Sequence, residues 1–124
     1  MKEERGRLGV PVNGEEVSVA NVPYMRCPAC REVVLRLADA RWLDREVIAR
    51  YRGKRGLLSA EEIRALRERA GLTQGELARL LGLGPNTLSR WEAGRNAQTA
   101  AMDILLRLVR DVPGSLNYLR SRAA

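Results

Sequence analysis

The chain has 124 residues. That is enough for one ordinary domain or two very small ones, and too little for a barrel of eight βα units or a doubly wound sheet. Lys plus Arg number 22 against 15 Asp plus Glu, a net charge of +7 that points to a polyanionic partner such as nucleic acid. There is no His, which excludes His general bases, Ser-His-Asp triads and His zinc ligands, and no enzyme is expected. No apolar run reaches the roughly 18 residues that would span a membrane, and the N-terminus lacks the apolar core of a signal peptide. With two cysteines, too few for a disulfide scaffold, the expected compartment is the reducing cytoplasm.

Residues 1–9, MKEERGRLG, are polar and charged and read as a mobile terminus. Val10, Val12, Val17 and Val19 alternate around Asn13-Gly14, a β-hairpin signal. The β-branched segment continues to Val22 and is interrupted by Pro23. Cys27-Pro28-Ala29-Cys30 follows, then Val33-Val34-Leu35 as a further strand. Asp39 is placed to cap a helix from Ala40, with Leu43, Val47 and Tyr51 on one face. Residues 50–56, RYRGKRG, read as a basic linker and the domain boundary; as an alternative, their charges clamp a phosphate backbone.

From residue 57 the helix signals are dense. Ser59–Glu62 and Thr73–Glu76 are capping boxes, each flanked by a hydrophobic staple. The first two helices stop at Gly71 and Gly82. A third is predicted to open with Gly84 as cap and Pro85 in the first helical position, and to end at Ala93-Gly94. Thr99 caps a fourth helix to about Arg110, and a short fifth follows Pro113-Gly114. The expected fold is therefore mainly α: a five-helix domain over 57–124 preceded by a small α+β module over 1–56, made of a β-hairpin, a C-x-x-C knuckle and a helix.

The second and third of these helices, joined by a tight glycine-containing turn, form a helix-turn-helix. Its second helix lies in the major groove with its N-terminal residues on base edges. Leu88 must face inward, which leaves Asn86, Thr87 and Arg90 outward with Ser89 beside them. Asn suits adenine and Arg suits guanine. Gln74 opens the preceding helix, where a phosphate is favoured. Arg95, just past the recognition helix, is read either as a phosphate contact or as plain surface. Trp91 is read as core. Leu105, Leu106, Leu108, Leu116 and Leu119 exceed one helical stripe, so some face a partner chain or an extended core.

Residues 63–94, IRALRERAGLTQGELARLLGLGPNTLSRWEAG, resemble the XRE/Cro-type helix-turn-helix family. The resemblance implies a five-helix DNA-binding domain that acts as a homodimer on a near-palindromic double-stranded operator. It also implies a backbone contact for Gln74, groove positions for Asn86, Thr87 and Arg90, and a structural ion pair between Arg67 and Glu92. A narrower resemblance covers more of the chain. VNGEEVSVANVPY, then C-x-x-C, Y-R and GLLSAEEIR are similar to the MqsA/YgiT-type antitoxins. That resemblance implies an autorepressor whose N-terminal module grips a toxin protein. The family holds zinc with two C-x-x-C pairs, and this chain has only Cys27 and Cys30. Zinc then requires a second chain or an upstream segment to complete four ligands. The pair is otherwise free or a disulfide.

Overall fold

The computed structural model describes residues 2–123. Three strands, β1 (Lys2–Val12), β2 (Glu15–Arg26) and β3 (Val33–Val34), form one antiparallel sheet in the order β1-β2-β3. Six helices follow: α1 (Leu37–Arg55), α2 (Ala60–Arg69), α3 (Gln74–Leu80), α4 (Thr87–Glu92), α5 (Ala100–Asp111) and α6 (Ser115–Ala123). No helix among the described residues is long and apolar enough to cross a membrane.

The hairpin turns at Asn13 and Gly14, both at positive φ (47° and 83°), the combination a two-residue turn needs to match the strand twist. Residues 2–9, expected to be mobile, are instead most of β1; residue 1 lies outside the described residues. They are ordered because β2 pairs along the whole strand, from Val12↔Glu15 to Lys2↔Arg26. Gly6 pairs with Val22 and Leu8 with Val19, so Ala20 and Asn21 together oppose the single residue Arg7. This bulge, with Asn21 at φ 59°, reverses the alternation of β2. Val17 and Val19 before it and Val22 after it consequently share the face that packs on α1. Pro23 does not end the strand. β3 reaches only Met25 and Arg26, so Pro23 sits where β2 is an edge and needs no second ladder bond.

Helix α1 begins three residues earlier than expected. Its cap is Arg36, which offers no side-chain bond, and Asp39 lies in the first turn, where an acidic side chain suits the helix dipole. Residues 50–55, expected to be a linker, are the last turns of α1. Their charges are engaged within the protein. Arg50 pairs with Glu46, and Lys54 and Arg55 pair with Glu15 at 2.9 and 3.0 Å. Arg52 is 4% exposed.

Two apolar clusters result. Leu58, Ile63, Leu66, Leu72, Leu77, Leu88, Trp91 and Leu106 form the core of α2–α5. Val12, Val19, Val22, Leu43, Val47, Ile48 and Tyr51 form the core between sheet and α1, and this cluster also takes in Ala97 from the segment after α4. The two parts of the chain thus share a packed boundary.

Candidate nucleic-acid interface

Local sequence sets the frame of the α3–α4 unit. The Thr73 hydroxyl accepts from the Glu76 amide (3.1 Å), and the Glu76 carboxylate accepts from the Thr73 amide (3.0 Å). These bonds hold the Glu76 carboxyl below its ordinary pKa. The Ser59–Glu62 box repeats the arrangement on α2. After α3, Leu83 N–H donates to Ala78 C=O at 2.8 Å and fixes the turn into α4. That helix begins later than predicted. Gly84, Pro85 and Asn86 make a turn closed by Thr87 N–H to Gly84 C=O (3.3 Å), and Asn86 is the cap.

Leu88 and Trp91 are buried on one side of α4, as the pattern required. Asn86 and Arg90 are exposed, and Thr87 and Ser89 are half-buried. The Ser89 hydroxyl donates to the Asn86 carbonyl at 2.9 Å. Among the described residues, the side chains of Asn86 and Arg90 make no hydrogen bond. They stand one turn apart, a pair of donor-bearing groups on a helix whose opposite face is locked.

The lock is Glu92. Its side chain is 1% exposed and accepts a two-pronged bond from Arg67, Nε at 2.7 Å and Nη2 at 2.9 Å. Gln74 Nε2 donates at 3.2 Å and Arg64 Nε at 3.4 Å. Arg67 also donates to the Leu72 carbonyl. Burial alone would raise the Glu92 pKa. The bonds from Arg67 and Gln74 and the charge of Arg67 outweigh it, so the carboxyl lies below its ordinary value. The Arg67–Glu92 pair ties α4 to α2, and Gln74 ties it to the start of α3. The Gln74 amide nitrogen is therefore directed at Glu92 and not outward; its backbone N–H remains at the α3 N-terminus.

The C-terminal end of α4 is held from the other half of the chain. Gly94, at φ 73°, lets its own N–H reach the Trp91 carbonyl and Arg95 N–H reach the Arg90 carbonyl (2.9 Å). Arg52 of α1 then donates to the Trp91 carbonyl (2.9 Å), the Asn96 carbonyl (3.2 Å) and Gln98 Oε1 (3.0 Å). A cation at a helix C-terminus meets the negative end of its dipole, and burial lowers the Arg52 pKa. Gln98, fully buried, passes the connection to the Leu58 carbonyl and to Asp103. Asp103 accepts from Leu58 N–H (2.8 Å) and Arg107 (2.7 Å). Burial opposes these bonds, but they prevail and keep its carboxyl below the ordinary range. Asn13 at the hairpin tip donates to the Ala97 carbonyl at 3.3 Å. Gln98, Asp103 and Arg64 were not singled out in the sequence, and Arg52, expected in a basic linker or a phosphate clamp, is instead bonded inside the protein. The available signal was that Arg52 falls four residues after Ile48, on the apolar face of α1.

Cys27 and Cys30 lie in the turn between β2 and β3. Arg31 N–H donates to the Cys27 carbonyl (2.8 Å), and Cys27 N–H donates to the Glu32 carbonyl (3.0 Å). The Cys30 amide and thiol hold the Cys27 thiol below its ordinary pKa. Among the described residues, no three His, Cys, Asp or Glu side chains come together as a metal-holding group. Two thiols do not fit a structural zinc site, which takes four ligands.

Residues 59–110, which take in α2 to α4 and most of α5, match the family model described as a helix-turn-helix domain. Antitoxin HigA-2 of Vibrio cholerae is 36% identical to the chain over 62 residues. The match takes in 50% of this chain and 60% of that protein.

Proposed function

We propose that the protein is a sequence-specific regulator that binds double-stranded DNA, an XRE-type antitoxin that represses its own operon. The observation that carries this reading is the outward pair Asn86 and Arg90. They are exposed and, among the described residues, without internal hydrogen-bond partners, on a helix that Leu88, Trp91 and Glu92 fix in place. Such a helix enters the major groove, where Asn86, Thr87 and Arg90 meet base edges and Ser89 lies beside them. Gln74, through its backbone N–H, and Arg95 take backbone phosphate. The test is a selection from randomised duplexes with the wild-type chain, repeated with Arg90→Ala. The variant is expected to lose about 1–3 kcal/mol of specific binding and to relax one base position. An unchanged base preference would overturn the assignment.

A homodimer fits this reading. Ile104 and Leu108 are spaced i, i+4 on α5, and Val112 follows at its C-terminal cap in extended conformation; they are 59%, 43% and 46% exposed, an apolar surface facing away from the core. Of the leucines expected to meet a partner, Leu106 is fully buried and belongs to the core, and only Leu108 is exposed. A two-fold dimer sets two recognition helices about 34 Å apart on a near-palindromic operator. Sedimentation of Leu108→Glu is expected to give a monomer where the wild type gives a dimer.

A second role is favoured by the part of the chain outside the 59–110 match. The 11-residue strand β1 is the outer strand of its sheet, with one edge unpaired among the described residues. That edge suits the gripping of a partner toxin, as the MqsA/YgiT resemblance implies. Native mass spectrometry of the full chain co-expressed with the neighbouring reading frame tests this, and a chain recovered without that product counts against it.

A further inference from the structure

Beside the exit of α4 lies a shallow cleft lined by Arg41, Asp44, Arg45, Ala93 and Arg95. Two of its three arginines come from α1 and one from the helix-turn-helix domain. We infer that Arg41 and Arg45, together with Arg95, hold the phosphodiester backbone of the DNA whose groove α4 reads, so that α1 is part of the DNA-binding surface. This inference rests on the DNA-binding reading above.

Position is the first reason. Helix α4 has six residues and is about 9 Å long at 1.5 Å per residue. With its N-terminal end at the base edges of a groove about 12 Å wide, its C-terminal end emerges beside the groove wall, which is sugar and phosphate. Ala93 and Arg95 stand at that end. Arg45 packs there so closely that a Cβ on Gly94 would meet its Cγ at 3.3 Å.

Rigidity is the second reason. Residues 41, 45 and 52 fall within about 40° of one another around a helix of 3.6 residues per turn, so they share one face of α1. Arg52 on that face is buried against the Trp91 and Asn96 carbonyls. The same anchor that fixes α4 therefore also fixes where Arg45 and Arg41 stand. On an anchored helix only the arginine side chains, and not the backbone that carries them, have freedom left to lose when a phosphate arrives.

Charge is the third. Arg41, Arg45 and Arg95 are exposed, and among the described residues none has a carboxylate within 4.0 Å, unlike Lys54 and Arg55, which are both paired with Glu15. Among the described residues Asp44 is the one acidic group that lines the cleft, which leaves this lining with a net charge of two positives. Guanidinium groups suit phosphate oxygens, which they bind in a two-pronged fashion.

The experiment uses the full chain and the duplex selected by the wild type, with an unrelated duplex of equal length, and measures binding across a salt series. Arg41→Ala combined with Arg45→Ala is expected to weaken both duplexes by the same factor, about tenfold or more near 0.1 M salt, and to lower the slope of log K against log salt by about 2. Asp44→Asn is expected to tighten both. Arg5→Ala combined with Arg7→Ala removes the same charge from β1 and should leave the slope nearly unchanged. The inference is overturned if the Arg41/Arg45 variant, with a wild-type melting curve, keeps the wild-type slope, or if the Arg5/Arg7 variant lowers it equally. Loss of discrimination in Arg90→Ala alongside an unaffected Arg41/Arg45 variant would leave the DNA-binding reading standing and remove only this extension. Failure of the wild type to enrich any duplex would remove both.

Discussion

Glu92 and Arg52 are both charges taken out of water, and the two regions that hold them do so differently. Glu92 is compensated inside the helix-turn-helix domain: Arg67, Arg64 and Gln74 all lie between residues 64 and 74. Arg52 has no carboxylate within 4.0 Å among the described residues. It is held by two carbonyls and an amide oxygen that belong to residues 91–98, across the boundary between α1 and the helix-turn-helix. An ion pair within one region stabilises that region. A cation shared across two regions makes them one body, because neither can move without stranding it.

The largest expected effect breaks the first arrangement. Glu92→Ala leaves Arg67 facing an empty acceptor position and should cost about 3 kcal/mol, read from urea unfolding, with hydrogen exchange rising first in α2 and α4. Arg52→Ala should cost about 2 kcal/mol, the range for hydrogen bonds to a charged group. Its signature differs: exchange should rise in β1, β2 and α1 while α2 and α3 stay protected. If both variants loosened the same residues, the distinction between the two anchors would fail. Thr73→Ala removes one cap bond, with an expected cost of about 1 kcal/mol confined to the α3–α4 unit.

Mild acid should have the smallest effect. The Glu92 and Asp103 carboxyls lie below their ordinary values in the folded chain. Their contribution is thus fully present above the unfolded-state values, around 4, and is lost as pH falls through that range and on through the folded values. The melting temperature should stay level from pH 7 to 5 and fall below about pH 4. A decline already under way at pH 6 would point to another titrating group.

Within the helix-turn-helix domain the readable features were local. A capping box joins residues three apart, so Ser59-Glu62 and Thr73-Glu76 could be read directly, as could Thr99, whose hydroxyl accepts from Met102 N–H. Leu88 and Trp91 followed from helix periodicity. The late start of α4 did not, because Gly84 and Pro85 fit a turn as well as a first helical turn. In the other half, a charged stretch such as KEERGRLG has no local reason to be a strand. It becomes one because β2 supplies partners as far as Arg26, and the extra residue at Ala20-Asn21 that makes this register work leaves no mark in composition.

The sequence by itself determined the helices after Gly56, apart from the start of α4, and the outward pair Asn86 and Arg90, because caps, glycine stops and apolar spacing act over a few residues. Only the tertiary structure decided that residues 50–55 are helix and not linker, that Arg52 is buried, and that Arg41 and Arg45 stand beside Arg95. Those outcomes depend on contacts between residues some forty to fifty positions apart, and the energy of burying a charge becomes visible only when the groups that receive it are in place.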